Sequence, residues 1–302
     1  MFIQRADGAS NRHSPFEIPP LPPSSESMRA TEPSPILRLL RLIVSALRPP
    51  PGAERIAVAL AFGAVCHTIF ALAVVAMIVA MFFGMSESFG TVPTPWSHLV
   101  NTLLLVQFPL VHSVLLTTRG GKWLLKLAPR NHAPTLMTTT YAIVASTQLL
   151  LLFALWTPSG VIWWRAEADV FWLMCVLYAA AWGLLIKASY DAGAEVQSGA
   201  LGWMSLMAKI KPVFPDMPTG GLFRLIRQPI YVAFALTLWT VPVWTPDQLA
   251  VAITLTAYCL VAPVLKERRF TARYGSRFAD YKARVPYAIP TLRKRHADDV
   301  SK

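Results

Sequence analysis

Residues 56–83 read IAVALAFGAVCHTIFALAVVAMIVAMFF, 28 residues without a Lys, Arg, Asp or Glu. A helix needs about 20 mostly apolar residues to cross the hydrocarbon core of a bilayer, so this stretch is predicted to be a transmembrane helix. Working outward, residues 96–118 form a second apolar run. Residues 134–156 form a third, with Pro134 at its start, where a missing N–H costs little. Residues 170–186 form a fourth that reaches Tyr190. Residues 230–244, which contain Pro242, and 249–265 follow, separated by a short break carrying Pro246 and Asp247. These last two are predicted to form a tight helical hairpin. No ten-residue period-2 alternation repeats along the chain, which argues against a transmembrane barrel. The predicted fold class is all-α: a polytopic helical membrane protein of about six transmembrane helices.

Composition agrees. The 302 residues are 54% hydrophobic and 15% charged, with a net charge of +12 and a mean hydropathy of +0.46. A soluble domain carries about a quarter charged residues, and nucleic-acid binders do not combine basicity with so much apolar mass. No nucleic-acid partner is expected. The charges instead follow the spans. The segment after the first span has Glu87 and no Lys or Arg, whereas the next has Arg119, Lys122, Lys126 and Arg130. Lys187, Lys209, Lys211, Arg224 and Arg227 lie between spans four and five, and a dense basic run from Lys266 to Arg295 follows span six. By the positive-inside rule, both termini and the basic segments are expected in the cytoplasm. The protein is thus expected to be multi-pass in a bacterial inner (cytoplasmic) membrane, with membrane lipids as its surroundings.

Four regions are expected. Residues 1–35 hold seven prolines and no apolar signal-peptide core, and read as a disordered tail. Residues 36–55 are an amphipathic helix and linker, with Arg38, Arg41, Ser45 and Arg48 on one face. That helix either lies on an anionic membrane surface or packs on the bundle. Residues 56–290 form the transmembrane domain, and residues 291–302 a basic tail. Cys66, Cys175 and Cys259 fall inside spans and read as small core residues, with no metal framework.

Ionisable groups in lipid are costly and usually functional. His67 sits mid-span, and His112 lies beside Gln107 and Ser113; each reads either as an interhelical bonding group or as a functional one. The densest polar cluster comes later. Gly220-Gly221 and Arg227-Gln228-Pro229-Ile230-Tyr231 enter span five, while Lys266-Glu267-Arg268-Arg269 leaves span six on the same side. Tyr274-Gly275, Tyr281 and Val285-Pro286-Tyr287 follow. A hairpin returns these ends to neighbouring positions, so an arginine, a carboxylate and tyrosines are expected to converge. A basic belt for lipid headgroups would not explain Tyr231 directly after a proline break, or Glu267 inside a cationic run.

These residues resemble the integral-membrane methyltransferases of the isoprenylcysteine carboxyl methyltransferase and phospholipid methyltransferase type. Those families carry Arg-His-Pro-x-Tyr-x-Gly, a helical hairpin, Glu-Glu, Phe-Gly, spaced tyrosines and a Val-Pro…Pro ending. The matching stretches are Arg227-Gln228-Pro229-Ile230-Tyr231-Val232-Ala233, Lys266-Glu267, Tyr274-Gly275, Tyr281 and Val285-Pro286…Pro290. Val111-His112-Ser113-Val114, Leu155-Trp156-Thr157-Pro158 and Trp239-Thr240-Val241-Pro242 bring the chain nearest to the methanethiol S-methyltransferase group and NnrU-like proteins. The likeness covers roughly residues 100–290. It implies S-adenosylmethionine as cofactor, bound by Gly221, Arg227, Gln228, Pro229, Tyr231, Glu267, Tyr274 and Tyr281. It further implies a small thiol or lipid-like methyl acceptor entering from the membrane, with Glu267 and His112 as catalytic residues. Arg227 would pair with the cofactor's carboxylate and Glu267 with its ammonium or ribose.

The chain departs from the pattern at Gln228, Ala233 and Lys266, which replace His, Gly and the first Glu. Gln228 cannot carry charge, and Lys266 would repel a sulfonium unless it points outward to headgroups. Two alternatives therefore stand beside the enzyme. One is a non-catalytic relative serving as a lipid-binding or assembly subunit of a membrane complex. The other is an NnrU-like haem-binding protein using His112 and His67.

Overall fold

The computed structural model describes residues 34–290. The tail expected over 1–35 and the basic tail at 291–302 lie outside that range, apart from Ser34, Pro35 and the boundary residues they adjoin. Eleven α-helices run in chain order through the described residues. They are α1 (Pro35–Leu47), α2 (Ala53–Phe82), α3 (Trp96–Leu115), α4 (Thr118–Lys126), α5 (Ala133–Leu155), α6 (Ala168–Asp191), α7 (Ala194–Gln197), α8 (Ala200–Ala208), α9 (Pro229–Trp239), α10 (Pro246–Tyr274) and α11 (Ser276–Arg284). A 3-10 turn at Gly221–Arg224 and two two-residue strands, β1 (Trp164–Arg165) and β2 (Val243–Trp244), complete them. The protein is an all-α polytopic membrane protein. Five helices, α2, α3, α5, α6 and α10, are long and apolar enough to cross a membrane. Their outward faces carry Leu60, Leu72 and Val75 on α2, Trp172, Val176 and Ile186 on α6, and Leu260 and Val261 on α10. So continuous an exposed apolar belt is what lipid-facing helices present.

The sixth span, expected over 230–244, is not among the five helices long enough to cross. α9 is only 11 residues long, about 16 Å at 1.5 Å per residue. Thr240 ends it in a bend, with φ −95° and ψ 32°, and of residues 240–245 only Val243–Trp244 run as strand. Non-helical backbone away from water must be satisfied within the protein, and here it is. β2 pairs antiparallel with β1, Trp163 N donates to Trp244 O, and Ala166 N donates to Pro242 O. Val241 and Thr245 are buried. The expected span is therefore a short helix followed by a bent segment that is stitched to the α5–α6 connection.

The expected second span, 96–118, also breaks. α3 ends at Leu115, and Thr117 caps the amphipathic α4 by accepting from Gly120 N at 3.2 Å. Residues 187–227, read as a basic connection, hide α7 and the apolar α8. α8 packs between α2 and α5, with Thr139 Oγ1 donating to Gly199 O at 2.7 Å and accepting from Trp203 N at 2.9 Å. Arg55 donates to the carbonyls of Leu206 and Met207, closing the C-terminal end of α8. α1 packs on α8 through Leu42 and Ala46, and Arg38 Nε pairs with the buried Glu195 at 3.2 Å. Its other apolar residues, including Leu37, Leu40 and Val44, remain exposed, so α1 is attached to the bundle and still presents an apolar stripe. The main core lies around Met81, Phe108, Leu152, Phe153, Leu238, Val251 and Leu255.

Candidate active site

The site is built by the α9–α10 hairpin and closed by the segment after α11. Gln228 is the residue before α9 and Pro229 its first helical residue, where proline's fixed φ suits helix entry. Glu267 lies near the end of α10. Glu267 Oε1 accepts from Arg227 Nε at 3.0 Å and from Gln228 Nε2 at 2.8 Å, and its Oε2 lies 3.7 Å from Lys282 Nζ. Arg227 is 9% exposed and Gln228 2%. Arg227 Nη1 also donates to Val285 O at 2.7 Å and Lys282 O at 3.1 Å, while Arg227 N and Gln228 N donate to Pro286 O and Tyr287 O. The Tyr287 ring stacks against the guanidinium at 5.4 Å. Arg227 is therefore a clamp: it fixes Glu267 on one side and the Val285–Tyr287 strap on the other. Its Nε and Nη1 are committed to the protein, which differs from the carboxylate-binding role implied by the family resemblance.

Lys266 does not point outward. Consecutive helical residues are rotated by about 100°, and here that turn aims Lys266 Nζ into the hairpin. It donates to Gln228 Oε1 at 3.3 Å and stands 5.4 Å from the Phe223 ring centre, 5.7 Å from Tyr231 and 5.4 Å from Phe270. Of the two orientations left open for Lys266, the inward one is found: the fixed position of Gln228 and three rings draw the ammonium inward.

The remaining candidates separate. Tyr231 joins the ring set around Lys266. Tyr281 is buried on α11, donates to Phe223 O at 2.7 Å, and has its phenol pushed up to about 12 by burial. Tyr287 is also raised, by burial first and then by the Glu267 carboxylate. Its hydroxyl is buried with no hydrogen-bond partner among the described residues. Tyr274 packs against Arg273 and Arg277 and stands edge-on to Phe270. Gly221 does not reach the cluster. It has φ of +55°, and a Cβ there would meet the Asp191 carboxylate at 2.1 Å. That close approach lets Leu222 N donate to Asp191 Oδ2 at 2.8 Å, tying the turn to the end of α6.

His112 lies deeper, on α3. Its Nε2 is 2.7 Å from Tyr141 Oη, and Phe108 and Tyr258 pack on the ring at 5.0 and 6.2 Å. Its Nδ1 is buried without a partner among the described residues. Tyr258, Ala262, Lys266 and Phe270 recur every fourth residue on α10, so they share one stripe that runs from His112 to the ring set. His67 belongs elsewhere: its Nε2 accepts from Trp203 Nε1 at 3.0 Å. The two histidines stand in separate clusters, and each Nε2 is already engaged. Among the described residues no group of three or more His, Cys, Asp and Glu could hold a metal ion.

A cavity of about 460 Å³ opens at the same end of the bundle, lined by Thr219, Arg224, Arg277, Tyr281, Arg284 and Val285 among others. Sequence reasoning missed Phe223, Phe270, Tyr141 and Tyr287 as site residues. Phe223 and Tyr287 sit within the stretches that drew attention, and Phe270 is one helical turn beyond Lys266; only the i, i+4 spacing signalled it.

No family model matches the chain, and no solved structure does. Several curated proteins do. A methanethiol S-methyltransferase of Pseudomonas deceptionensis is 27% identical over 201 residues, covering 66% of this chain and 75% of that protein. One from Mycobacterium tuberculosis is 28% identical over 193 residues, covering 63% and 77%. Nurim of Xenopus laevis is 26% identical over 190 residues, covering 56% and 65%. Over about two thirds of its length, this membrane protein is a relative of proteins named methanethiol S-methyltransferase, with Nurim at a greater distance.

Proposed function

We propose that the protein is an integral-membrane methyltransferase that moves the methyl group of S-adenosylmethionine to a small thiol, in a bacterial inner membrane. The observation that carries this reading is the meeting of Arg227, Gln228 and Glu267 across the hairpin at 2.8–3.0 Å. These are motif residues some 40 positions apart in a chain related to methanethiol S-methyltransferases. The donor set fits the cofactor. An ammonium already sits beside Gln228 and three rings, where a sulfonium would be accepted, and the Tyr287 hydroxyl, without a partner among the described residues, adds a hydrogen bond for a bound polar group. Bound there, the cofactor supplies an electrophilic methyl group.

The chain supplies the rest. Arg227 holds Glu267 in place for the cofactor's ammonium or ribose, and the arginine-lined cavity beside Tyr281 receives its carboxylate. Displacement at a methyl group depends on alignment, so this fixed geometry is itself catalytic. His112 takes the thiol proton on Nδ1. For that nitrogen to accept, Nε2 must carry the hydrogen and donate it to Tyr141 Oη, which fixes the tautomer. The low-polarity surroundings of Phe108 and Tyr258 exclude water from the thiolate.

Titrating the purified full-length protein with S-adenosylmethionine and S-adenosylhomocysteine in a calorimeter tests the reading, together with headspace detection of dimethyl sulfide from methanethiol. Binding and product formation are expected; no binding of either nucleoside at millimolar concentration overturns it. The non-catalytic reading draws on Lys266, whose ammonium fills the place a cofactor cation would take. It predicts no dimethyl sulfide at any donor concentration.

A further inference from the structure

The three rings around Lys266 stand at the outer part of the range of a cation–π contact, about 6 Å, and so leave room around the ammonium. A bare ammonium in contact with a ring face lies about 3.5–4 Å from it. Here Nζ stands 5.4, 5.7 and 5.4 Å from the centres of Phe223, Tyr231 and Phe270. In a methylated onium ion the methyl carbons lie about 1.5–1.8 Å from the charge and themselves touch the rings, which puts the cation centre about 5–6 Å from each centroid, as in aromatic cages for quaternary ammonium. The fourth wall is polar: Gln228 Oε1 faces the cation at 3.3 Å, its orientation fixed because Gln228 Nε2 donates to Glu267. The walls come from three separate elements, the 3-10 turn, α9 and α10. Each is anchored independently, Phe223 through its carbonyl bond from Tyr281 and Tyr231 by the proline-started α9.

We propose that Phe223, Tyr231, Phe270 and Gln228 form a cage for a methyl-bearing onium cation, and that Lys266 occupies it as a tethered competitor. Identifying that cation with the sulfonium of the methyl donor rests on the function proposed above; the cage itself does not. A consequence is selectivity: with Lys266 in place, the neutral thioether product binds more readily than the cationic donor, and the lysine must leave the cage when the donor enters.

The test uses full-length protein in detergent and calorimetric titration with trimethylsulfonium and tetramethylammonium, followed by S-adenosylmethionine and S-adenosylhomocysteine. Lys266→Met should bind both small onium ions at least tenfold more tightly than the unaltered protein. It should also raise affinity for the donor about tenfold while changing product affinity less than threefold. Adding Phe270→Leu should remove most of the gain. Lys266→Gln gives a second background if Lys266→Met unfolds at a lower temperature. Equal onium affinity with and without Lys266 overturns the cage, as does retention of the gain in the Phe270→Leu double variant. Small onium ions binding without either nucleoside would leave the cage standing and remove the methyltransferase reading.

Discussion

The two ends of the α9–α10 hairpin carry buried polar clusters built on different rules. At the turn, the Asp247 carboxylate accepts from Trp156 Nε1 at 3.1 Å, from Ser159 N at 2.9 Å and from Ser159 Oγ at 2.5 Å. Thr245 Oγ1 donates to Gly84 O, and Gln248 Nε2 donates to Leu238 O. The donors to Asp247 are neutral, and the partners bring in the α2–α3 and α5–α6 connections. This cluster is a staple. At the basic end, Glu267 is shared among Arg227, Gln228 and Lys282, a hydroxyl on Tyr287 has no partner among the described residues, and an ammonium stands among three rings. One carboxylate closes a structure and the other leaves room at its edge. Charge separates the two ends: Asp247 is held by neutral donors, whereas Glu267 is shared by two cations and an amide. An orphaned atom does not separate them, since Gln248 Oε1 at the turn is also buried without a partner among the described residues.

That contrast breaks most visibly at Glu267. Glu267→Gln leaves the Arg227 guanidinium buried without its counter-charge, which costs about 3–5 kcal/mol. It should lower the thermal midpoint in detergent and abolish methyl transfer; an unchanged midpoint would mean the pair does not hold the strap. Asp247→Asn weakens charge-assisted bonds worth about 1.5–3 kcal/mol each at most. It should lower the midpoint while leaving nucleoside affinity within twofold, so a parallel loss of affinity would erase the distinction between the two ends.

Tyr141→Phe removes the partner of His112 Nε2. The transfer rate should fall about tenfold, equivalent to about 1.4 kcal/mol. The pH midpoint of kcat should move and donor affinity should stay unchanged; a change in affinity alone would make Tyr141 structural. The smallest effect is expected at Tyr281. Tyr281→Phe loses one hydrogen bond, about 1 kcal/mol. Because the folded phenol is raised to about 12 from its usual 10, the unfolded state releases its proton first. Its contribution to stability is full below pH 10 and declines as pH rises toward 12. Alkaline unfolding of Tyr281→Phe should show a shallower fall over that range.

Much of this molecule is legible along the chain. Residues 56–83 can satisfy their backbone only as a helix in lipid, and four other runs follow the same logic. The convergence of Arg227 and Glu267 followed from any hairpin joining them. What escaped has physical causes. The helix expected over 230–244 stops at Trp239, because the chain bends there and β2 takes its hydrogen bonds from the β1 segment, and nothing local encodes a partner 80 residues away. α8 was hidden because nine mostly apolar residues between Glu195 and Lys209 look like a loop until α2 and α5 are there to cover them. Gly221 and Tyr274 fit the family motif by order; the structure packs Gly221 on Asp191 and Tyr274 against Arg273, Arg277 and Phe270.

Sequence by itself determined the membrane, the helical class and which residues meet at the hairpin's basic end, because apolar length and chain connectivity are local properties. Tertiary structure alone decided that Arg227 is a clamp, that Tyr141 holds His112, and that Lys266 turns inward. Those outcomes depend on which carbonyls, rings and carboxylates the other helices place within a few ångströms.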